Sequence, residues 1–337
     1  MMLGDLLLLF AVSVMPPDAR VDIDDMIRRR AEGEARPLPW AGLSVRTKRR
    51  LRTAGCSSVV DSIIRDDFVC NDDEAGGCEQ RNPEIAVSPT GGFVVSWYEF
   101  RDGDADVWLQ QFHAGGVPLG GNIRINTDIT FGWQGDPAAA MGGDGSFILS
   151  WEDRRDIGNS DVFCQRFDAV GNRLGDNFRI SDSAAAGDQD ISSCSLAPDG
   201  SALVVWDDRR HGLTGDIYGQ FLNPDGSPRG DNFRVNDDAI GQANQYEPDV
   251  ACDSLGRYVV VWMDGRGLNA YDWNVFGQRF DIGGSRIGPN FQITVDESIQ
   301  WVPRVAVARS GTFLVCWDDR RRGQYDIYAQ FYDGNGL

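Results

Sequence analysis

The chain has 337 residues, 42% of them hydrophobic and 10% aromatic, and a chain of this size hides roughly three-quarters of its unfolded surface. Residues 1–67 carry 11 basic and 10 acidic side chains, leaving 21 basic and 41 acidic in 68–337, a net charge of −20. These figures exclude wholesale disorder, nucleic-acid binding and adhesion to anionic lipid, and 40 glycines without a three-residue period announce tight turns rather than collagen.

The first feature along the chain is an apolar run over residues 6–14. It is far shorter than the ~20 residues that cross a bilayer, so no membrane insertion is expected. It reads equally as the core of an export signal, with Pro17-Asp18-Ala19 as the cleavage region, or as a misplaced start, because Asp5 stands where a signal carries Lys or Arg. Residues 21–52, with the basic run Arg46-Thr47-Lys48-Arg49-Arg50-Leu51-Arg52, read as a linker. Residues 1–65 are therefore expected to be an extension and 66–337 the folded domain.

From Gln80 onward one pattern recurs five times. Trp97, Trp151, Trp206, Trp262 and Trp317 follow one another at spacings of 54, 55, 56 and 55 residues. Seventeen residues before them stand Gln80, Gln134, Gln189, Gln245 and Gln300; two after them stand Glu99, Asp153, Asp208, Asp264 and Asp319; four after them stand Arg101, Arg155, Arg210, Arg266 and Arg321. Each copy holds four short runs of strand type, which in the fourth copy are 248–252, 258–262, 274–280 and 290–294. We call these strands a to d. A four-stranded unit of this length is a β-propeller blade, and no stretch has a helical period.

The fifth copy ends at Leu337, where its strand d is due. Meanwhile Asp66-Asp67-Phe68-Val69-Cys70-Asn71-Asp72-Asp73 matches Asp231-Asn232-Phe233-Arg234-Val235-Asn236-Asp237-Asp238 of the third. The expectation is an all-β, five-bladed propeller closed by an N-terminal strand that completes the last blade and covers its bare edge. Donation of that strand to a neighbouring molecule would instead produce self-association. A ring cut from a larger one is the third reading.

The run Leu203-Val204-Val205-Trp206-Asp207-Asp208-Arg209-Arg210, followed by Asp216-Ile217-Tyr218-Gly219-Gln220-Phe221, resembles the repeats of exported bacterial β-propeller proteins over residues 66–337. It is also distantly similar to sialidase-type propellers. The resemblance implies the fold and an extracellular or cell-surface location. The sialidase Asp-box, S-x-D-x-G-x-[ST]-W, is echoed by Gly143-Asp144-Gly145-Ser146-Phe147-Ile148-Leu149-Ser150-Trp151 with a different Asp-to-Trp distance, so no sialidase site follows.

In a blade the repeated Gln falls in the d–a loop and the acid and Arg in the b–c loop, so all fifteen share one face around the channel. One reading holds each Arg in a structural ion pair and uses the Gln amides to satisfy loop backbone. The other makes them a ring of ligand contacts. Departures from the repeat point more sharply to a site. Trp133, Tyr246 and Trp301 lie in d–a loops, and Tyr271 and Trp273 in the longest b–c loop. They form either a stacking platform for sugar rings or packing between blades.

Asp102, Asp104 and Asp106 alternate along one loop and offer oxygens to Ca²⁺, the one cofactor considered, without the rest of an EF-hand. Of seven cysteines, Cys70 and Cys78 bracket a short acidic loop and suit a disulfide that stiffens the clasp. His113 and His211, the two histidines, match no triad or metal motif. A carboxylate pair for glycoside hydrolysis stays open among so many acids. The primary reading is a non-catalytic extracellular binding or scaffold module whose ligand, a glycan or a protein, sits on the channel face. The alternatives are a glycan-active hydrolase using channel carboxylates and a filament subunit assembled by strand donation.

Overall fold

The computed structural model describes residues 68–72, 77–101, 103–127, 132–155, 159–182, 187–212, 214–267, 273–294, 298–334 and 336. The extension expected over 1–65 lies outside the described residues. Each copy folds as an antiparallel meander. Blade 1 is β1 (Gln80–Val87), β2 (Phe93–Glu99), β3 (Asp106–Phe112) and β4 (Ile123–Arg124); blade 2 is β5 (Gln134–Met141), β6 (Phe147–Asp153), β7 (Asp161–Phe167) and β8 (Phe178–Arg179). Blade 3 is β9 (Gln189–Leu196), β10 (Ala202–Asp208), β11 (Asp216–Leu222) and β12 (Pro228–Arg234). Blade 4 is β13 (Gln245–Cys252), β14 (Tyr258–Asp264), β15 (Asn274–Phe280) and β16 (Arg286–Gln292), and blade 5 is β17 (Gln300–Val307), β18 (Phe313–Asp319) and β19 (Asp326–Tyr332). The five sheets make a five-bladed β-propeller.

Strand b explains the continuous apolar runs. In blades 2 to 4 every residue of β6, β10 and β14 is buried, because both faces of the strand lie against neighbouring blades and neither meets water. The a–b turns are built locally. Asp199 Oδ1 accepts the Ser201 amide at 2.9 Å and its hydroxyl at 2.6 Å, while Gly200 supplies φ +85°. The Asp-box echo at Asp144 does the same for Ser146. It is therefore a turn brace, at the ends of the strands opposite to the repeated acids.

A second repeated device ties blades together. Asn177, Asn232 and Asn290 donate Nδ2 both to the strand-c glutamines Gln165, Gln220 and Gln278 at 2.6–2.7 Å and to carbonyls of the preceding blade, Ile125, Ile180 and Val235, at 3.1–3.2 Å. Asn122 of blade 1 does likewise with Gln110 at 2.7 Å and with the Cys70 carbonyl at 3.2 Å. The Asp72 amide donates to Asn122 Oδ1 at 2.6 Å, as the Thr127 amide does to Asn177 at 2.7 Å. Residues 70–72 thus hold toward blade 1 the place that 125–127 hold toward blade 2.

Apolar clusters fill the seams between blades 1 and 2, 2 and 3, 3 and 4, and 4 and 5. At the seam between blades 5 and 1 the described residues form no such cluster, and Ile85, Val87, Ile327 and Phe331 are all exposed. The last sheet has three strands among the described residues, with β19 at its edge. On the inside, residues from all five inner strands line a channel cavity of about 350 Å³.

Candidate functional site

In every blade the repeated Gln and the repeated acid are cross-strand partners, from Gln80 with Glu99 to Gln300 with Asp319, which fixes them at one end of the inner strands. The Trp indole N–H donates to the acid at 2.8–3.0 Å. The Arg closes the same carboxylate. Arg210 reaches Asp208 with Nε at 2.9 Å, Nη2 at 2.6 Å and its backbone amide at 2.9 Å. Equivalent pairs join Arg101 to Glu99, Arg155 to Asp153, Arg266 to Asp264 and Arg321 to Asp319. Each guanidinium then lies over a strand-c ring at 3.9–4.3 Å. Burial works to raise the Asp319 carboxyl, yet the N–H groups of Arg321 and Trp317 hold it down at about 2.

Gln134, Gln189, Gln245 and Gln300 are fully buried and Gln80 half-buried. Their amides brace the d–a loops: Gln80 donates to the Cys78 carbonyl, Gln189 to the Gly187 carbonyl and Gln300 to Ser298 Oγ. Gln134 and Gln245 accept from Asn126 and Asn236. These bonds tie them into the scaffold.

Two of the three loop carboxylates have partners of their own. Asp102 lies outside the described residues, Asp104 accepts the Gly132 amide at 2.6 Å, and Asp106 is paired with Arg124 at 2.6 Å. Among the described residues no group of three acids, histidines or cysteines is placed to hold a metal. Cys70 and Cys78 are both half-buried.

The pseudo-symmetry breaks one residue further along each strand. Arg81, Gly135, Asp190, Tyr246 and Trp301 follow the repeated Gln, and face Tyr98, Glu152, Asp207, Met263 and Asp318 across the sheet. Gly135 is required in blade 2 because Trp133 folds back over it, 2.4 Å from where a Cβ would stand. Trp133 packs on Tyr98 at 5.6 Å and beneath the Arg154 guanidinium at 5.3 Å. Tyr246 stacks on Trp273 at 5.7 Å, and Trp301 lies 5.8 Å from Tyr325 with over a third of its surface open. Tyr271 lies outside the described residues. A cleft of about 310 Å³ is lined by Ile191, Asp207, Arg209, Tyr246, Glu247, Met263, Trp301 and Val302. It abuts the channel cavity through Ile191 and Glu247, which line both.

Glu152, Asp190 and Asp207 are the acids that residue patterning did not single out. All three are buried. Burial first, and then Asp190, pushes the Glu152 carboxyl up to about 7, against the pull of Arg154 at 2.8 Å. Burial likewise raises Asp190 and Asp207. Neither oxygen of Asp207 is satisfied by a hydrogen bond of sound geometry, although the Glu247 amide leans toward it. Just beyond, the inner strands bulge. Asn82, Asp136, Ile191, Glu247 and Val302 take φ between +46° and +53° at five equivalent positions around the channel. Left-handed backbone at a β-branched residue is strained, and such outliers gather at functional sites.

No protein-family model matches the chain, and no curated protein matches its sequence. Among solved structures, its fold is similar to that of a protein of unknown function from Dyadobacter fermentans DSM 18053. That similarity has a TM-score of 0.56 and 12% identity over 81% of this chain and 83% of that one. It is also similar to the polysaccharide lyase Uly1, with a TM-score of 0.50 and 13% identity over 76% of this chain and 58% of that one. An endo-arabinase from Bacteroides thetaiotaomicron VPI-5482 matches at a TM-score of 0.45 and 13% identity, over 74% and 93%. At these identities the likeness is one of fold.

Proposed function

We propose that this protein binds carbohydrate at the channel face, in the cleft between Tyr246 and Trp301. The observation that carries the reading is the conjunction of two rings at the rim with Arg209, Glu247 and Asp207 in one open concavity. Rings give a sugar a flat apolar face, and a few charged groups beside them fix its hydroxyls. A glycan-array screen followed by calorimetry tests it. Trp301→Ala is expected to weaken the best oligosaccharide by roughly 5- to 150-fold, from a stacking contribution of about 1–3 kcal/mol, with unchanged melting. Unaltered affinity in Trp301→Ala and Tyr246→Ala would place the site elsewhere.

A second reading is supported by Glu152, whose carboxyl stays protonated up to about pH 7 beside Asp190. A carboxyl that keeps its proton near neutrality beside a second carboxyl has the form of a general acid for glycoside hydrolysis. Turnover of chromogenic glycosides that disappears in both Glu152→Gln and Asp190→Asn would make the protein a hydrolase. Binding without turnover supports the module.

A further inference from the structure

We infer that the carbohydrate taken by this cleft carries a free amine, whose ammonium group is held against Glu247 over the buried Asp207 while its ring lies on Tyr246 and Trp301. The inference rests on the carbohydrate reading above and assigns its substrate class. Its starting point is an imbalance of charge. Asp207 has no accessible surface, lines the cleft, and has neither oxygen satisfied. Glu247, with a left-handed backbone, lines the same cleft and stands at its junction with the channel. No described side chain comes within 4.0 Å to form an ion pair with either.

Of the nearby cations two are already paired, and the third is outnumbered in the channel by Glu84, Asp136 and Glu247. Arg209 lies 3.7 Å from Asp188 and 3.9 Å from Asp190, with its guanidinium over the Tyr246 ring at 5.8 Å. Arg154 is held by Glu152, and Arg304 donates to the Pro303 carbonyl at 2.9 Å and shares the channel with Glu84. An anionic sugar would be repelled by Glu247 and would hold Asp207 neutral, and a neutral one would leave Glu247 unpaired. An ammonium pairs with Glu247 directly and acts on the covered Asp207 through its field. It is also the group that aromatic rims attract through their ring quadrupoles. The folded domain, at net −20, draws such a ligand from a distance.

Binding should then be coupled to protons. Burial, Asp190 and Glu247 favour the neutral form of Asp207, whereas Arg209 opposes it. An ammonium placed over it favours the carboxylate, so the complex releases a proton as it forms.

The test is calorimetric titration of the full chain at pH 6, where an alkyl amine is protonated, with glucosamine oligomers, the matching N-acetylglucosamine oligomers, and an oligolysine peptide of equal charge. Expected is at least ten-fold tighter binding of the glucosamine oligomer than of its acetylated form. Glu247→Gln and Asp207→Asn should each narrow that preference below three-fold, and Asp207→Asn should abolish proton release measured between two buffers of different ionisation enthalpy. Unchanged melting shows that the variants are folded. Equal or tighter binding of the acetylated oligomer overturns the inference and leaves the carbohydrate reading standing. Tighter binding of oligolysine overturns it in favour of a basic peptide. Binding of neither sugar overturns the inference, and the carbohydrate reading falls with it only if the glycan array also yields no ligand.

Discussion

Asp207 and Asp208 are chain neighbours, equally buried and opposite in treatment. Asp208 accepts four N–H groups from Trp206 and Arg210, whereas Asp207 has none of good geometry. A buried carboxylate so fully satisfied is structural, and removing its cation strands it. Arg210→Ala is expected to cost about 3 kcal/mol in urea unfolding. Arg154, more than half exposed on Glu152, is expected to cost less than about 0.5 kcal/mol when replaced by Ala. Similar losses for both would show that the repeated unit contributes no more than a surface pair. The same contrast sets a pH profile. Glu152 is raised from 4.5 to about 7, so the folded state binds its proton more tightly and stability rises as pH falls from 7 to 4.5. Asp319 is lowered from 3.8 to about 2, so its contribution is present above pH 4 and disappears as pH falls toward 2. Melting temperature should therefore peak near pH 4–5. Glu152→Gln should raise it at pH 8 and leave it unchanged at pH 4.5; a variant that melts like the parent at both would refute the buried-acid assignment.

At the scale of the strand, the inner bulges are the telling element. Val302 and Ile191 hold β-branched side chains at φ +49° and +47°, where Asn82 in blade 1 holds a residue that tolerates this conformation. Val302→Asn is expected to gain about 1 kcal/mol by relieving strain, read as a rise in the urea midpoint; a loss would mean that Val302 packing outweighs it. The strands themselves were legible because Trp, acid and Arg are tied to one another through the same few bonds in every copy, with the Gln as the acid's cross-strand neighbour, so none of them can drift. Tyr246 and Trp301 were legible as departures from that repeat. Glu152 and Asp190 obey the same rule, standing one residue after a repeated Trp or Gln, and were hidden by the 41 acids around them. The bracket of Asn122, Asn177, Asn232 and Asn290 was visible as a repeated letter, but its partner is a backbone carbonyl, which has no letter of its own. The partners of Asp104 and Asp106, a glycine amide and an arginine from later in the chain, were not legible, because an alternating row of acids says nothing about where the chain points each one.

For the molecule as a whole, four seams are filled with apolar side chains and the fifth leaves Ile85, Val87, Ile327 and Phe331 exposed. Residues 70–72 brace blade 1 at this seam through Asn122 and Arg101. Removal of residues 1–74 is expected to promote association through the edge of β19, seen as concentration-dependent growth in light scattering. A truncated chain that remains monomeric and melts like the parent would show that the segment is dispensable. The direction of the asparagine brackets has a further consequence. Every one of them reaches backward along the chain, from Asn122 to Cys70, from Asn177 to Ile125, from Asn232 to Ile180 and from Asn290 to Val235. During synthesis, each blade that leaves the ribosome therefore finds its anchor already made and waits for nothing downstream. The ring can be assembled in the order in which it is translated, with each new blade docking onto the one made just before it.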